Sequence, residues 1–215
     1  MIRSTLAAAL VVMISQAAQA SLVVTVGDAT LLTGSTGTVD VMIASDTPSG
    51  DLLSFLGFEF RITTGGPTRL DFVDPQSDFQ LTDPNYLFAG DSLAAAFPPV
   101  GLVSTTIVPN DTIIGGDATF SGNEINVGAT PLLLARLEFT ASIALPPIPG
   151  DTFTIDLESS VLTFFQDNTF TDLSFSSTSG TVTIVIPEPS SAMLAIVALT
   201  AIAPTAIRRG RVLRR

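Results

Sequence analysis

The 215-residue sequence contains no histidine, no cysteine, no tryptophan and no lysine. Without histidine or cysteine the chain cannot build a Ser-His-Asp or Cys-His nucleophile, and it lacks the usual ligands of a structural zinc site. The absence of cysteine also excludes a disulfide framework. We therefore predict no catalytic residue of these kinds and no such metal site, which leaves carboxylate chemistry and binding as the functions to consider.

Positive charge is scarce and lies mostly at the two ends of the sequence. The whole chain has 20 Asp and Glu against 9 Arg, for a net charge of −11. Residues 21–186 hold 19 of the acids but only Arg61, Arg69 and Arg136, so their net charge is 3 minus 19, or −16. An acidic surface of this kind repels nucleic acid. We exclude nucleic acid as a partner for this reason.

The segment 1–20 has the pattern of a secretory signal peptide. Arg3 supplies a positive charge, an apolar run follows from residue 6 to residue 14, and Ala18 and Ala20 form a small-x-small cleavage motif. We expect cleavage after Ala20. The mature chain would then begin at Ser21, outside the cytoplasmic membrane.

The C-terminal segment 187–215 contains three features in a fixed order. Pro187, Glu188 and Pro189 come first, and an uncharged apolar run over residues 190–207 follows. As a helix this run would be about 27 Å long, just enough to span a hydrocarbon core of roughly 30 Å. The tail carries five arginines: Arg208, Arg209, Arg211, Arg214 and Arg215. Because basic residues after an apolar span stay in the cytoplasm, we expect one transmembrane helix, with the tail inside and the preceding domain outside.

The order of Pro-Glu-Pro, apolar span and arginine cluster resembles a PEP-CTERM sorting signal, a bacterial C-terminal tag recognised by membrane enzymes called exosortases. The resemblance implies that the protein is held at the membrane and cleaved near Pro187 to Pro189 by an exosortase-type enzyme. It also implies delivery to the cell surface or to an extracellular polysaccharide matrix, as in a biofilm. A permanent single-span anchor is the alternative interpretation.

The domain between these signals, residues 21–186, shows the period-two alternation of β-strands. Three strands with one buried face are predicted, and their inward residues are Val39, Val41 and Ile43; Leu56, Phe58, Phe60 and Ile62; and Leu133, Ala135, Leu137, Phe139, Ala141 and Ile143. Further strands are predicted over 22–26, 70–73, 102–108, 117–120, 152–158, 161–165, 173–175 and 181–186. Proline and glycine clusters separate them. We predict an all-β domain, a β-sandwich or jelly roll of about nine strands.

The strand sequence is similar to that of cohesin-like domains. An early strand, GTVDVMIASDT, is followed by a strand with a Gly-Phe step, LLSFLGFEFRITT, and a late strand ends in an apolar-x-Phe pair, Leu137 and Phe139. The resemblance implies a β-sandwich over about residues 22–186. It also implies protein binding, since cohesins bind dockerin modules through a sheet face, but it assigns no binding residue in this chain.

Acidic and aromatic residues leave three alternatives open. Asp71, Asp74 and Asp78, and likewise Asp167, Asn168 and Asp172, offer oxygen ligands for Ca²⁺, although neither set has EF-hand spacing and aspartate is common in turns. Glycoside hydrolysis requires only two carboxylates. Sugar-binding proteins commonly stack tryptophan or tyrosine on the sugar ring, and Tyr86 is the only residue of either type in the sequence.

These patterns together predict an exported, non-enzymatic surface or matrix protein that needs no cofactor and serves a structural or adhesive role. The alternative is a cohesin-like or carbohydrate-binding module that captures a protein or polysaccharide partner.

Overall fold

The computed structural model describes residues 21–63, 70–97, 105–107, 110–142 and 151–185. The strands in these ranges are β1 (Ser21–Val26), β2 (Ala29–Leu32), β3 (Thr36–Ser45), β4 (Asp51–Leu53), β5 (Phe55–Thr63), β6 (Leu70–Phe72), β7 (Thr105–Ile107), β8 (Thr112–Ala118), β9 (Ile125–Val127), β10 (Leu132–Ala141), β11 (Thr152–Leu157), β12 (Phe164–Gln166), β13 (Ser174–Thr178) and β14 (Gly180–Val185). A 3₁₀ turn covers Phe79–Thr82, and the short helix α1 covers Leu93–Ala96. No helix in these ranges is long and apolar enough to cross a membrane. The predicted signal peptide 1–20 and sorting segment 187–215 lie outside them.

The strands form two main sheets. The smaller sheet has the order β13-β1-β3-β10-β6, and the larger has the order β2-β14-β11-β5-β8-β7, with β12 also paired to β5. Strands β4 and β9 form a separate two-stranded sheet. The β1–β13 and β2–β14 pairs are parallel, and the other pairs are antiparallel. The described part of the domain is therefore a β-sandwich, which confirms the predicted fold class.

The core lies between the two main sheets, and the alternation of apolar residues explains how it forms. Val41 of β3 and Phe60 of β5 belong to one buried cluster and are both fully buried. Asp40 and Arg61, their neighbours in sequence, are exposed on the outer faces. The inward sets predicted for β3 and β5 are buried throughout, so both predictions are confirmed.

The five described residues of the inward set predicted for β10 are all buried, but a β-bulge adds a buried residue that was not predicted. The register against β3 shifts between Leu133 and Ala135, which leaves Leu134 as the extra residue. Leu134 was predicted to face outward, yet it is fully buried in the core cluster. Leu133 is also buried, and its main chain forms hydrogen bonds with the main chain of Asn85 and Leu87, in the segment between the 3₁₀ turn and α1. Ile143, the last residue of the predicted set, lies outside the described ranges.

Other differences concern the number and the bounds of the strands. The described ranges contain fourteen strands against a predicted total of about nine; eleven of them overlap a predicted segment, and β2, β4 and β9 were not recognised. Strand β8 begins at Thr112 and ends before Phe120, whereas a strand over 117–120 was predicted. Val161 was placed in a strand but lies in a turn and is 94% exposed. Short strands and strands with glycine have too little apolar alternation to be recognised from sequence.

The chain leaves the sandwich at one end, and β5 begins at the other. Val185, the last described residue, pairs with Leu32 and accepts a hydrogen bond from the Thr33 amide. Thr63, at the end of β5, lies on this side through its pairing with Thr154. Phe55 is eight positions away at the start of β5, so a strand rise of about 3.4 Å per residue places Phe55 and Thr63 about 27 Å apart.

Candidate binding surface

The residues predicted to direct export and sorting cannot be placed in the sandwich. Ala18 and Ala20, the Pro187-Glu188-Pro189 motif and the five arginines from Arg208 to Arg215 all lie outside the described residues. A candidate site therefore has to come from the sandwich itself.

The acidic loop at Asp167, one of the two considered for Ca²⁺, forms a turn. One oxygen of Asp167 accepts hydrogen bonds from the Thr171 amide at 2.9 Å and from the Thr169 amide and hydroxyl at 2.8 and 2.7 Å. These bonds, led by the one from the Thr171 amide, lower the pKa of Asp167. Nowhere in the described ranges do three acidic side chains converge as a metal site. The local hydrogen bonds favour the structural interpretation of Asp167.

Tyr86, the residue considered for sugar stacking, is 2% exposed and takes part in a buried polar network. Its hydroxyl donates to the Asp117 carboxylate at 2.8 Å, and burial, followed by the Asp117 charge, raises its pKa. Asp117 also accepts from the Ser92 hydroxyl and from the amides of Ala94 and Ala118. The ring is thus unavailable to a ligand, and the network fixes the segment before β7 to the inner face of β8.

Two pairs of phenylalanines are the most distinctive exposed feature. Phe170 stacks on Phe55, with ring centroids 4.7 Å apart, and Phe97 meets Phe120 edge to face at 5.8 Å. Phe97, Phe120 and Phe170 are 54%, 57% and 66% exposed, so most of each ring faces solvent. Leu93, at the start of the helix that ends before Phe97, and Leu162, whose carbonyl lies beside Gly57 of β5, are both 41% exposed. We call these six residues the aromatic end.

Both pairs lie at the same end of the larger sheet. Phe55 opens β5 and pairs with Ala118, the last residue of β8, two residues before Phe120. Glu124, a little further along, accepts a hydrogen bond from the Asn168 amide at 3.2 Å, which ties the turn after β8 to the turn that carries Phe170. The two pairs therefore form one surface region rather than two unrelated patches.

Hydrogen bonds hold the Phe97–Phe120 pair in place. The Ser92 hydroxyl caps α1 by accepting from the Ala95 amide at 3.0 Å, and the Phe97 amide closes the helix on Leu93 at 3.3 Å. The Phe120 amide donates to the Asp91 carbonyl at 2.6 Å. The Asp91 carboxylate accepts from the amide and hydroxyl of Ser121. These contacts make the exposed rings part of an ordered surface.

The backbone at Phe170 has an unusual conformation. Its φ of 62° lies in the left-handed region, which bulky residues rarely adopt and which costs about 1 kcal/mol or more. The Asp167 hydrogen bonds hold this turn, and the Phe170 amide donates to the Asp167 carbonyl at 3.2 Å. The strained conformation places the ring on Phe55 with most of its surface facing solvent. Strain of this kind concentrates at binding and catalytic sites.

The charges around the aromatic end are negative. Four carboxylates lie in its turns: Asp91, Glu124, Asp167 and Asp172. The hydrogen bonds they accept come from neutral donors, such as the Gln166 amide on Asp172 at 2.8 Å. Arg136 pairs instead with Asp40, through two hydrogen bonds on the outer face of the smaller sheet. Neutral donors leave the negative charge of this end uncompensated.

Comparison with known proteins identifies the fold. No family model matches the sequence, and no curated protein does either. A cohesin of scaffoldin B from Acetivibrio cellulolyticus, solved with a dockerin, is 14% identical with a TM-score of 0.51, over 76% of this chain and 99% of that one. A Clostridium thermocellum cohesin solved with a dockerin is 13% identical with a TM-score of 0.49, over 77% and 99%. A non-cellulosomal cohesin from Archaeoglobus fulgidus is 16% identical with a TM-score of 0.48, over 80% and 95%.

The first of these similarities shows that the chain has a cohesin-like β-sandwich, and at this identity it shows the fold alone. The aromatic end was missed by sequence reasoning, which considered phenylalanines only as inward residues of strands. The available signal was position: Phe97, Phe120 and Phe170 stand in turn sequences, AAAFPP, FSGN and DNTFTD, where a large apolar residue has no strand to bury it.

Proposed function

We propose that this chain is an exported bacterial surface protein whose cohesin-like sandwich binds a protein partner and catalyses no reaction. The observation that carries the proposal is the aromatic end, an ordered apolar surface on a cohesin-like fold. Exposed aromatic residues are enriched at protein interfaces, and contiguous apolar surface on a soluble domain marks interaction sites. The Acetivibrio cohesin with the same fold was solved in complex with its dockerin.

A protein partner is favoured over a polysaccharide. The tyrosine that was considered for sugar stacking is buried, and the chain has no tryptophan. The exposed rings of the aromatic end belong to phenylalanines, which lack a polar group for hydrogen bonds to sugar hydroxyls. An adhesive role remains compatible with the proposal, because adhesion can arise from binding to another surface protein.

The terminal segments supply the proposed location. The pattern of residues 1–20 supports export, and the order of Pro-Glu-Pro, apolar run and arginines supports sorting by an exosortase-type enzyme. The sandwich would stand outside the cell, held by the helix over 190–207 before processing and delivered to the surface or matrix afterwards.

The binding function is tested by affinity capture with the full chain, first from extracellular extracts and then with the purified candidate. A saturable, stoichiometric protein partner with a measurable dissociation constant is expected. A purified glycan panel serves as the parallel arm. Saturable binding to a glycan together with failure of every protein candidate would contradict the proposal.

The location is tested separately by replacing both Pro187 and Glu188 with alanine. Intact mass of the surface fraction should show that the unaltered chain has lost its C-terminal apolar run, whereas the variant keeps it and stays in the membrane fraction. Equal processing of both chains would exclude sorting through the Pro-Glu-Pro motif.

A further inference from the structure

We infer that the aromatic end is the docking face for the protein partner, and that this partner presents apolar side chains flanked by arginine or lysine. The inference rests on the proposed binding function and adds to it the place of binding and the chemistry of the partner.

The first support is the combination of order and exposure. Phe170 keeps most of its ring in solvent although its backbone adopts a costly left-handed conformation, and Phe120 is held through the Asp91 carbonyl. An ordered aromatic ring binds with little loss of side-chain entropy, since its position is fixed before the partner arrives. The geometry is therefore suited to insertion between side chains of a second protein.

The second support is charge. The surface carboxylates Asp91, Glu124, Asp167 and Asp172 surround the rings, and neutral donors are their hydrogen-bond partners. Cations on the partner would meet these carboxylates and the ring faces, which attract cations through their quadrupole. An acidic partner would meet like charges, which costs affinity and slows association. Charge complementarity thus favours a partner whose binding surface has an apolar centre and a rim of arginine or lysine.

The third support is the position of the proposed anchor. Val185, the last described residue, lies four positions after Thr181, which is level with Thr63 through Thr154, so it is more than about 27 Å from Phe55 along the strand direction. Four residues, 186–189, separate Val185 from the apolar run, and fully extended they reach about 14 Å. The aromatic end cannot face the membrane that holds the chain, because this would place Val185 farther from it than the linker reaches. For the anchored chain, the bilayer that holds it is thereby excluded as the occupant.

The test uses the full chain and two synthetic helical peptides, one of leucine and arginine and the other with every arginine replaced by glutamate. The binding variant carries Phe120→Ser and Phe170→Ser together. The matched control is Phe79→Ser, because Phe79 is 64% exposed but lies in the 3₁₀ turn and is not part of the aromatic end. A charge variant, Glu124→Gln with Asp172→Asn, is compared with the control Asp71→Asn at the far end of the smaller sheet. Intact mass records whether residues 1–20 are present.

The unaltered chain should bind the arginine peptide and not the glutamate peptide. The double phenylalanine variant should lose at least tenfold in affinity, while Phe79→Ser changes it less than twofold. The charge variant should lose severalfold at low salt, and the loss should shrink as salt rises. All variants should keep the thermal midpoint within a few degrees, which separates lost binding from lost folding.

Equal binding of both peptides, or an affinity that the double variant leaves unchanged, would overturn the inference. Self-association of the chain that the double variant abolishes would also overturn it, because the occupant would then be a second copy. If affinity capture yields a protein partner whose binding is insensitive to these substitutions, this inference fails and the proposed function stands. If capture yields no protein partner, the proposed function itself fails.

Discussion

Replacing Asp117 by alanine should destabilise the sandwich strongly, because this carboxylate joins three parts of the structure. It lies on β8 in the larger sheet and is 8% exposed. It accepts from Tyr86, whose segment bridges to Leu133 of β10 in the smaller sheet, and from Ser92 and the Ala94 amide at the start of α1. The network thereby connects the two sheets and positions the helix that ends at Phe97.

The size of the effect follows from the donors left behind. Alanine offers no acceptor to the hydroxyls of Tyr86 and Ser92 or to the Ala94 amide, all of which bond a carboxylate at present. Each buried donor without an acceptor costs about 1 to 3 kcal/mol. Three such donors predict a loss of about 3 to 9 kcal/mol, a large part of the roughly 5 to 15 kcal/mol that stabilises a typical domain.

Asparagine at the same position is the matched control. Its carbonyl oxygen can keep the amides of Ala94 and Ala118, and its NH₂ group can donate to the two hydroxyls, which rotate to accept. Asp117→Asn should therefore cost only about 1 to 2 kcal/mol, mainly from the lost charge. Urea unfolding followed by tyrosine fluorescence and circular dichroism measures both. Equal losses for the two variants, or less than about 1 kcal/mol for alanine, would refute the role assigned to the network.

Three further predictions concern packing, pH and surface charge. Gly115→Ala should cost about 1 to 3 kcal/mol in urea unfolding, because its methyl group would come within 2.3 Å of a core phenylalanine ring, whereas Gly128→Ala, with no atom within 4 Å, should be nearly neutral. The thermal midpoint should stay constant between about pH 5 and 8, since the chain has no histidine or cysteine. At a pH below about 4 the midpoint should decrease, because carboxylates with a lowered pKa, such as Asp28, take up protons. Asp28→Asn should weaken this acid decline; an unchanged acid profile would contradict the contribution of the bonds from Thr181. A double-mutant cycle between Arg136 and Asp40 should give a coupling below about 1 kcal/mol, because both side chains are partly exposed; a coupling above about 2 kcal/mol would contradict this.

The parts of the fold that were predictable are those with local signals. In β3 and β5 the apolar residues alternate without interruption, so each inward residue, such as Val41 or Phe60, could be named from the sequence. The bulge at Leu134 could not, because the extra residue is defined by its register against another strand. Strand β8 was misplaced because Gly115 breaks its apolar pattern, and this glycine makes room for the ring of Phe58 across the pair.

The candidate site was less predictable than the fold for a similar reason. Composition correctly indicated an acidic domain, but the exposure of Phe170 depends on a turn held by Asp167 and stacked on Phe55. The stacking contact joins residues more than a hundred positions apart. The sequence alone showed only an aspartate-rich turn, which was considered as a Ca²⁺ loop instead.

The most direct test of the central proposal is hydrogen exchange of the full chain with and without its captured protein partner. Binding at the aromatic end predicts slower exchange in residues 91–97, 119–124 and 166–171, with little change at 33–36 and 61–63 at the opposite end. Protection confined to the opposite end, or to the outer face of either sheet, would contradict the proposed docking face.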